Sequence, residues 1–224
     1  MLLSFTLITP PAAEPVSVMM LKRQCRVDFP DDDILLGVYA TAAREYAEKY
    51  CRRVFFHQTW ELSLDHFPLP RFRTTLTNEE RHEWPFFGSS WDYFSIRLPK
   101  PTCVSVSSVT YLDLTGTEVT IDPTYYYVDT SSEPARLVPN SNQFWPYTQQ
   151  YLPGSVRVTF VAGSFGDGVT VNTCPQSIVL AIMLLASHWY EHREDVSELN
   201  LKNIPLGVHA LLDQYKFTCP DYRS

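Results

Sequence analysis

The sequence has no run of basic residues and few glycines, and these two shortages already exclude several classes of protein. Its 224 residues include 18 Lys and Arg against 25 Asp and Glu, which gives a formal net charge of −7. Tight binding to the phosphate backbone of nucleic acids needs clustered cations, so a conventional DNA-binding protein is disfavoured. Eight glycines against 17 prolines indicate stiff, extended connections rather than flexible linkers.

Cysteines are few, and long apolar runs are missing as well. The five cysteines lie far apart and form no CxxC pair, which disfavours a zinc cage or a disulfide framework and fits reduced thiols in a cytoplasm. The longest apolar run, Ile178 to Ala186, is about half as long as a helix that crosses a bilayer. No basic residue precedes the apolar residues at the N-terminus, which argues against a secretory signal. We therefore expect a protein that does not associate with membranes.

Hydrophobic periodicity predicts helices towards both ends of the chain. Apolar residues recur at three-to-four spacing from Asp32 to Arg53. This spacing predicts a long helix with Ile34 and Val38 on its apolar stripe and Arg44 on its charged face. A short helix is predicted before it, from Ser17 to about Arg26, with Ser17 as its N-cap.

The period changes to alternation at Gln58, where apolar and polar residues follow one another as in a half-buried strand. Further short strands are predicted as far as Val161. Pro175 suits the first position of a helix that is apolar on every side in its first half, and Pro205 opens a last helix.

This order of elements predicts the α+β class, with a small antiparallel helix bundle formed by both chain ends and an inserted antiparallel β domain. The expected boundaries are 1–16 for an extended N-terminal arm, 17–57 and 172–216 for the bundle, 58–171 for the β domain and 217–224 for the C-terminal tail.

The most suggestive catalytic pattern is the HxxEH order of His188, Glu191 and His192. Two histidines four residues apart on a helix can bind one zinc ion, and the glutamate can activate a bound water. Few groups remain downstream as a third ligand, and His and Glu also commonly end a buried helix where it reaches solvent. A zinc-dependent hydrolase stays an alternative, but we predict no catalytic residue, no metal, no cofactor and no enzyme.

A loop after the first strand mixes cations with aromatic residues, namely Arg71, Arg73, Phe86, Phe87 and Trp91. Such a loop can stack single-stranded nucleic acid, which gives a second alternative, a monomeric nucleic-acid-binding module. It can equally form a contact between proteins, where arginine and aromatic residues are enriched. The negative net charge of the chain favours a contact with another protein over one with nucleic acid.

The two ends of the chain are the other predicted contacts. Neither the arm before Ser17 nor the tail after Tyr215 can bury much of its surface within its own fold. The tail adds Tyr215, Phe217 and Tyr222 to the candidate inter-protein contacts. Deletion of residues 217–224 is expected to spare folding and to weaken docking.

A series of short segments follows in order along nearly the whole chain: TLITPP at 6–11, AREY at 43–46, QTWEL at 58–62, IRLP at 96–99, EPARL at 133–137, VTFVAG at 158–163 and HWY at 188–190. Together they resemble the head-tail connector family of tailed bacteriophages, the neck adaptors, in its longer form with a β insertion between helices.

The resemblance implies a structural protein of the virion neck, assembled in the host cytoplasm. Its expected partners are copies of itself in a ring of about twelve subunits, a portal protein, and a downstream neck or tail protein. Double-stranded DNA would pass through the ring without sequence-specific binding, and an acidic lumen would keep that DNA mobile because few phosphates are neutralised.

Overall fold

The computed structural model describes residues 3–68, 94–141, 143–149, 152–192 and 206–218. The chain divides into two compact units, each built from segments that are distant in sequence. The β unit contains Met1–Pro10, Gln58–Gly163 and Thr218–Ser224. The helical unit contains Pro11–His57 and Ser164–Phe217.

The β unit contains two antiparallel sheets. One is five-stranded, in the order β1 (Leu3–Thr9), β2 (Gln58–Leu64), β8 (Val156–Ala162), β4 (Cys103–Leu112) and β5 (Glu118–Thr120). The other is three-stranded, in the order β3 (Ile96–Arg97), β7 (Arg136–Pro139) and β6 (Tyr126–Asp129). Every strand pair within them is antiparallel, as the alternating patterns and short connections favour.

The five-stranded sheet buries one face and leaves the other polar. On the buried face Leu62 of β2 lies opposite Val158 of β8, and neither side chain is exposed. On the other face Glu61 lies opposite Thr159, and Ser63 lies opposite Arg157. Since side chains alternate along a strand, a shift of one residue would exchange the two faces, so this burial fixes the register.

The helical unit contains four described helices, α1 (Val18–Cys25), α2 (Asp33–Cys51), α3 (Gln176–Glu191) and α4 (Leu206–Asp213). Ser17 caps α1 as predicted, because its side chain accepts a hydrogen bond from the N–H of Met20 at 3.3 Å. None of the described helices is long and apolar enough to cross a membrane.

Helix α3 is the centre of the helical unit, and α1, α2 and α4 all pack against it. Its side chains Ile178, Ile182 and Leu185 are completely buried. The facing positions on α2 are small, including Ala43 and Ala47, and small side chains allow the two helices to approach closely. Burial of such a face supplies most of a helix's stability, because short helices are marginal alone.

The predicted α+β class is confirmed: helices from both chain ends pack in one unit, and the strands between them form antiparallel sheets. Residues Leu3–Thr9 of the segment described above as an extended arm form strand β1 and pair with β2.

The predicted orientation of the long helix was wrong in part. Ala43 and Ala47, which the three-to-four spacing also places on the apolar stripe, are buried as expected. Ile34 and Val38, expected on the apolar stripe, are 85% and 59% exposed, whereas Arg44, expected on the charged face, is 4% exposed. Leu36 and Ala40 lie on the buried side instead. Apolar residues occur almost all round this helix, so the periodicity alone did not identify the side that packs against α3.

Candidate interaction surfaces

The HxxEH residues lie where α3 ends. The helix stops at Glu191, and His192 follows it as the C-cap with non-helical backbone angles. The Nδ1 of His192 lies 2.9 Å from the carbonyl oxygen of His188, and the two rings are 4.6 Å apart. No group of three His, Cys, Asp or Glu side chains suited to a metal ion occurs within the described ranges. The two histidines therefore end a helix, and the third ligand that zinc needs is not found among the residues the structure describes.

A buried arginine joins the segment before α1 to helix α2. The Nε of Arg44 donates to Glu14 at 2.8 Å, and its NH1 group donates to Glu48 at 2.7 Å. Glu14 also accepts the hydroxyl of Thr41 at 3.1 Å, and Glu48 accepts the backbone N–H of Phe55 at 2.8 Å. Burial by itself lowers the pKa of Arg44, but Glu48 and Glu14 outweigh this effect and raise it. The cluster contains three charged side chains, and each of them is hydrogen-bonded to a partner. Its role is therefore structural.

Tyrosines of α2 contact polar groups of α4. The hydroxyl of Tyr50 donates to Asp213 at 2.6 Å, and the hydroxyl of Tyr46 lies 3.2 Å from Nε2 of His209. The Tyr50 and His209 rings stack with centroids 4.8 Å apart. The hydrogen bond to Asp213 is the main reason that the pKa of Tyr50 is raised to about 12. These contacts fix α4 on α2.

One exposed loop of the helical unit is shaped by a single carboxylate. Asp167 accepts backbone N–H groups of Val169, Thr170 and Val171 at 2.8 to 3.0 Å, and it also accepts the Thr170 hydroxyl. The Thr170 hydroxyl and these N–H groups lower the pKa of Asp167. Gly166 adopts a φ of +89°, and a Cβ there would lie 2.2 Å from the carbonyl oxygen of Val171. The loop presents Val169 and Val171, both more than half exposed, to solvent.

Both units expose large apolar side chains. In the helical unit these include Met19, Phe29, Ile34 and Val38, on and between α1 and α2. In the β unit they include Phe5, Leu7 and Ile8 of strand β1, which are 43%, 41% and 52% exposed. Four aromatic side chains of the β unit are also more than half exposed: Tyr125, Tyr127, Phe144 and Tyr147. Exposed apolar side chains that group together mark surfaces that bind other proteins.

The predicted contact residues fall in two groups. Arg71, Arg73, Phe86, Phe87, Trp91 and Tyr222 lie outside the described residues. Tyr215 and Phe217 belong to the helical unit. Their role between proteins stays a prediction.

Tyr215 and Phe217 both make contacts inside the helical unit. The hydroxyl of Tyr215 lies 2.8 Å from Oγ of Ser177. The N–H of Phe217 donates to the carbonyl of Cys51 at 2.8 Å, and the guanidinium of Arg53 lies 5.5 Å from the Phe217 ring. These two residues are half-buried by their own fold, so only part of each side chain is left for a partner.

The exposed apolar residues of β1 lie in the N-terminal arm, which was predicted as a contact, whereas Ile34 and Val38 of α2 were not predicted as contact residues. A signal for β1 was present: Leu3–Thr9 contains no charged residue and no proline, although it precedes two consecutive prolines. Uncharged segments with high β-propensity are typical of strands that pair with another chain. No comparable signal marks Ile34 and Val38, since an apolar residue in an amphipathic helix is more often buried.

The fold occurs in known particle structures. Over 96% of both chains it matches a chain in the structure titled "Neck of empty GTA particle computed with C6 symmetry", with a TM-score of 0.66 and 16% identity. Over 96% of both it matches one in "Virion of native gene transfer agent (GTA) particle", with a TM-score of 0.67 and 18% identity. A third match, in "Neck of native GTA particle computed with C12 symmetry", covers 98% of this chain and 97% of that one, with a TM-score of 0.62 and 20% identity.

These likenesses cover nearly the full length of each chain, so the complete architecture with both units is shared. All three matched chains come from structures of particles or their necks, which agrees with the resemblance noted from the sequence and with the prediction that the chain is not an enzyme. No protein-family model and no curated protein matched the sequence.

Proposed function

We propose that this protein is a structural protein of a virion neck that joins the head of the particle to its tail. The observation that carries the proposal is the fold shared with neck chains over nearly the whole length. The connector-like segments, found in order along the sequence, support it independently of the coordinates. Its work in this proposal is binding, and its location is the interface between head and tail after assembly in the host cytoplasm.

In finer detail, we propose a ring of about twelve copies that docks on a portal protein and carries the next neck or tail protein. The neck symmetries named for two of the matched structures, C12 and C6, are compatible with such a ring. Exposed apolar residues on both units can pack against neighbouring copies. A contact between copies that is repeated by rotation closes a ring. The Arg-aromatic loop that includes Arg71, Arg73, Phe86, Phe87 and Trp91 remains a proposed contact.

The ring would continue the DNA channel from the portal. A net charge of −7 per chain gives the assembly an excess of negative charge, which repels the phosphate backbone at short range. Weak binding suits a channel, because DNA that was held tightly by the wall would move slowly.

The mass of the native particle tests the ring. Purified protein is measured by native mass spectrometry across a range of concentrations, alone and with portal rings, and the particles are imaged by electron microscopy. We expect a closed ring of about twelve copies, on its own or on the portal. A chain that stays monomeric in both conditions contradicts the proposal.

Portal docking is tested by shortening the C-terminal tail. Phe217 contacts Cys51 and Arg53, so the deletion should begin after Thr218 and remove residues 219–224. The expected variant unfolds at the same temperature as the full chain but co-assembles less with portal rings. A larger deletion that includes Phe217 is the control for damage to the helical unit. Full co-assembly of the shorter deletion would remove the tail from the docking surface.

A further inference from the structure

Strand β1 forms one edge of the five-stranded sheet, and this edge is bare, meaning that it carries no charge, no proline and no further strand among the described residues. It is seven residues long, and β2 is its one partner within the described ranges. Its sequence, LSFTLIT, contains no charged residue and no proline. Phe5 and Leu7 lie on the same side of the sheet as Leu62 and Trp60, their partners on β2, yet both are more than 40% exposed. Natural proteins usually protect an edge of this length with lysine, proline or a covering segment.

The opposite edge of the same sheet is also incompletely paired. Strand β5 pairs with β4 only along Thr110 to Leu112. On that side of the sheet, no strand within the described ranges pairs with the earlier part of β4, Cys103 to Ser108. This part, CVSVSS, is again free of charge and proline. Val104 lies at an irregularity in the pairing with β8 and is 44% exposed.

Other strand ends of the β unit differ from these two edges. The three-stranded sheet has the two-residue β3 at one edge, which includes Arg97, and β6 at the other, which ends in Asp129. Strand β5 begins with the exposed Glu118. Charged residues and short length are the common means of preventing an edge from pairing. Among the described strands at sheet edges, only β1 and the free part of β4 contain no charged residue.

The two bare edges match in direction and overlap in length. The seven residues of β1 lie opposite six residues of β2, about 20 Å of strand at roughly 3.3 Å per residue. The six residues of β4 lie opposite four residues of β8, about 13 Å, because the pairing shifts register twice between Cys103 and Ser108. Along the sheet the strands alternate in direction, so β1 and β4 are antiparallel to each other, as their positions in the strand order require. Neighbouring copies in a ring of about twelve differ by a rotation of only about 30°, which keeps the strand directions nearly unchanged, so β1 of one copy runs antiparallel to β4 of the next.

We propose that neighbouring copies join their β units by strand addition, with β1 of one copy paired antiparallel to Cys103–Ser108 of β4 in the next. This inference rests on the proposed ring and specifies one of its contacts. Each copy offers one edge of each kind, so the contact is head-to-tail and repeats until the ring closes. Backbone hydrogen bonds supply the register, and Phe5, Leu7 and Val104 supply apolar area.

Disulfide trapping tests this pairing directly. Thr6 lies on the polar face of the sheet opposite Glu61, and Ser105 lies on that same face, opposite Val161. Chains with Thr6→Cys are mixed with chains with Ser105→Cys, in a background with Cys25→Ser and Cys219→Ser. Because no single chain carries both new cysteines, a cross-link between the two forms shows contact between copies. Disulfides need Cα atoms within about 7 Å, so Ser4→Cys is included to sample a second register.

The matched control is Thr6→Cys mixed with Arg157→Cys. Arg157 is exposed on the same face, but its strand, β8, is paired on both sides and cannot receive another strand. We expect cross-links to Ser105→Cys from one of the β1 positions and none to Arg157→Cys. Rings that form without such cross-links overturn the strand addition and leave the neck proposal intact. Cross-links between two Thr6→Cys chains would show symmetric pairing and also overturn it.

A lysine at the edge gives a second measurement. Thr6→Lys places a charge on the exposed face of β1, and we expect it to raise the concentration needed for ring formation about tenfold or more. Leu114→Lys, at an exposed position after the other end of β4 from Cys103–Ser108, is the control and should leave ring formation unchanged. Both variants are expected to unfold at the wild-type temperature. Equal ring formation by the two lysine variants would contradict the proposal, whereas monomers under all conditions would contradict the neck proposal itself.

Discussion

Arg44 shows how one buried charge can organise three segments of the chain. Its guanidinium is 4% exposed and bonds to Glu14, before α1, and to Glu48, one turn further along α2. Through Glu48 the cluster also holds the N–H of Phe55, after α2. A buried ion pair adds little net stability compared with apolar residues, but the loss of one partner leaves the others buried and unpaired.

Replacing Arg44 by alanine should therefore destabilise the protein. We expect a loss of about 3 kcal/mol in the free energy of unfolding, at the lower end for buried pairs, because water still reaches Glu14. Glu45→Ala is the matched control: its carboxylate is 3.7 Å from the guanidinium and 64% exposed, so its removal should cost less than about 0.5 kcal/mol. Urea unfolding measures both variants. Equal losses would mean that Arg44 acts only as a surface residue.

Asp167 has a role that depends on pH. Its carboxylate accepts three backbone N–H groups and one hydroxyl, and these bonds hold the pKa below its usual range. A carboxyl group whose pKa is lower in the folded than in the unfolded state stabilises the fold at any pH above its unfolded pKa, which is about 4. As the pH falls through the folded pKa, that contribution is lost.

We therefore expect Asp167→Ala to lower the melting temperature at neutral pH. The difference from the wild type should begin to shrink as the pH drops below about 4, because the carboxyl group of the unfolded chain then takes up a proton while that of the folded chain is still ionised. Melting curves recorded from neutral to acidic pH measure this difference. Asp31→Ala serves as a control, since Asp31 is exposed and its replacement should have no comparable effect. A difference that is constant with pH would show that the alanine acts through the backbone of the loop.

At the scale of elements, α4 depends on its neighbours because it is short. Its eight residues are too few for a stable isolated helix, so contacts with α2 and α3 must hold it. Val208 and Leu212 are fully buried, and Tyr46 and Tyr50 of α2 contact His209 and Asp213 at its surface. The stacking of Tyr50 on His209 adds apolar contact to the hydrogen bonds.

Removal of Tyr50 should loosen α4 without unfolding the rest of the helical unit. We expect Tyr50→Ala to lower the protection of α4 amides from hydrogen exchange, while the amides of α3 keep their protection. Tyr50→Phe keeps the ring stacked on His209 and loses only the bond to Asp213, so its effect should be smaller. Hydrogen exchange followed by mass spectrometry resolves the two helices. Equal loss of protection in α3 and α4 would mean that the four helices unfold as one.

The elements also show which features of the chain could be predicted from sequence. The capping residue Ser17, the alternation after Gln58 and the apolar run of α3 are local signals, and each produced the element predicted from it. The buried side of α2 was predicted only in part, because it depends on where α3 packs. For that reason Ile34 was predicted to be buried but is exposed, and Arg44 was predicted to be exposed but is buried. The pairing of Leu3–Thr9 with β2 joins residues fifty or more positions apart, and no local pattern specifies such a partner.

At the scale of the whole molecule, composition restricted the function more than any motif did. The HxxEH pattern matches the sequence motif of a zinc protease. However, His192 lies past the end of α3, and the third ligand that zinc requires is not found in the described part of the chain. The excess of acidic residues disfavoured nucleic-acid binding, and assembly was predicted from the series of segments that resembles the connector family. Contact residues on α2 were harder to predict, because the exposure of Val38 is a property of the folded surface.

The acidic composition leads to a prediction about DNA. If rings of this protein line a channel, duplex DNA should bind them only weakly, since each chain carries seven more acidic than basic residues. We expect no saturable binding of a fluorescent DNA duplex at about 0.15 M salt, where charges further apart than roughly 8 Å are screened. Anisotropy titrations of assembled rings measure this, with a basic DNA-binding protein as the positive control.

Binding that falls steeply with rising salt would reveal a local basic surface, because each neutralised phosphate releases counterions. In that case a titration with single-stranded DNA and variants of Arg71 and Arg73 would decide whether the Arg-aromatic loop contacts nucleic acid instead of a neighbouring protein.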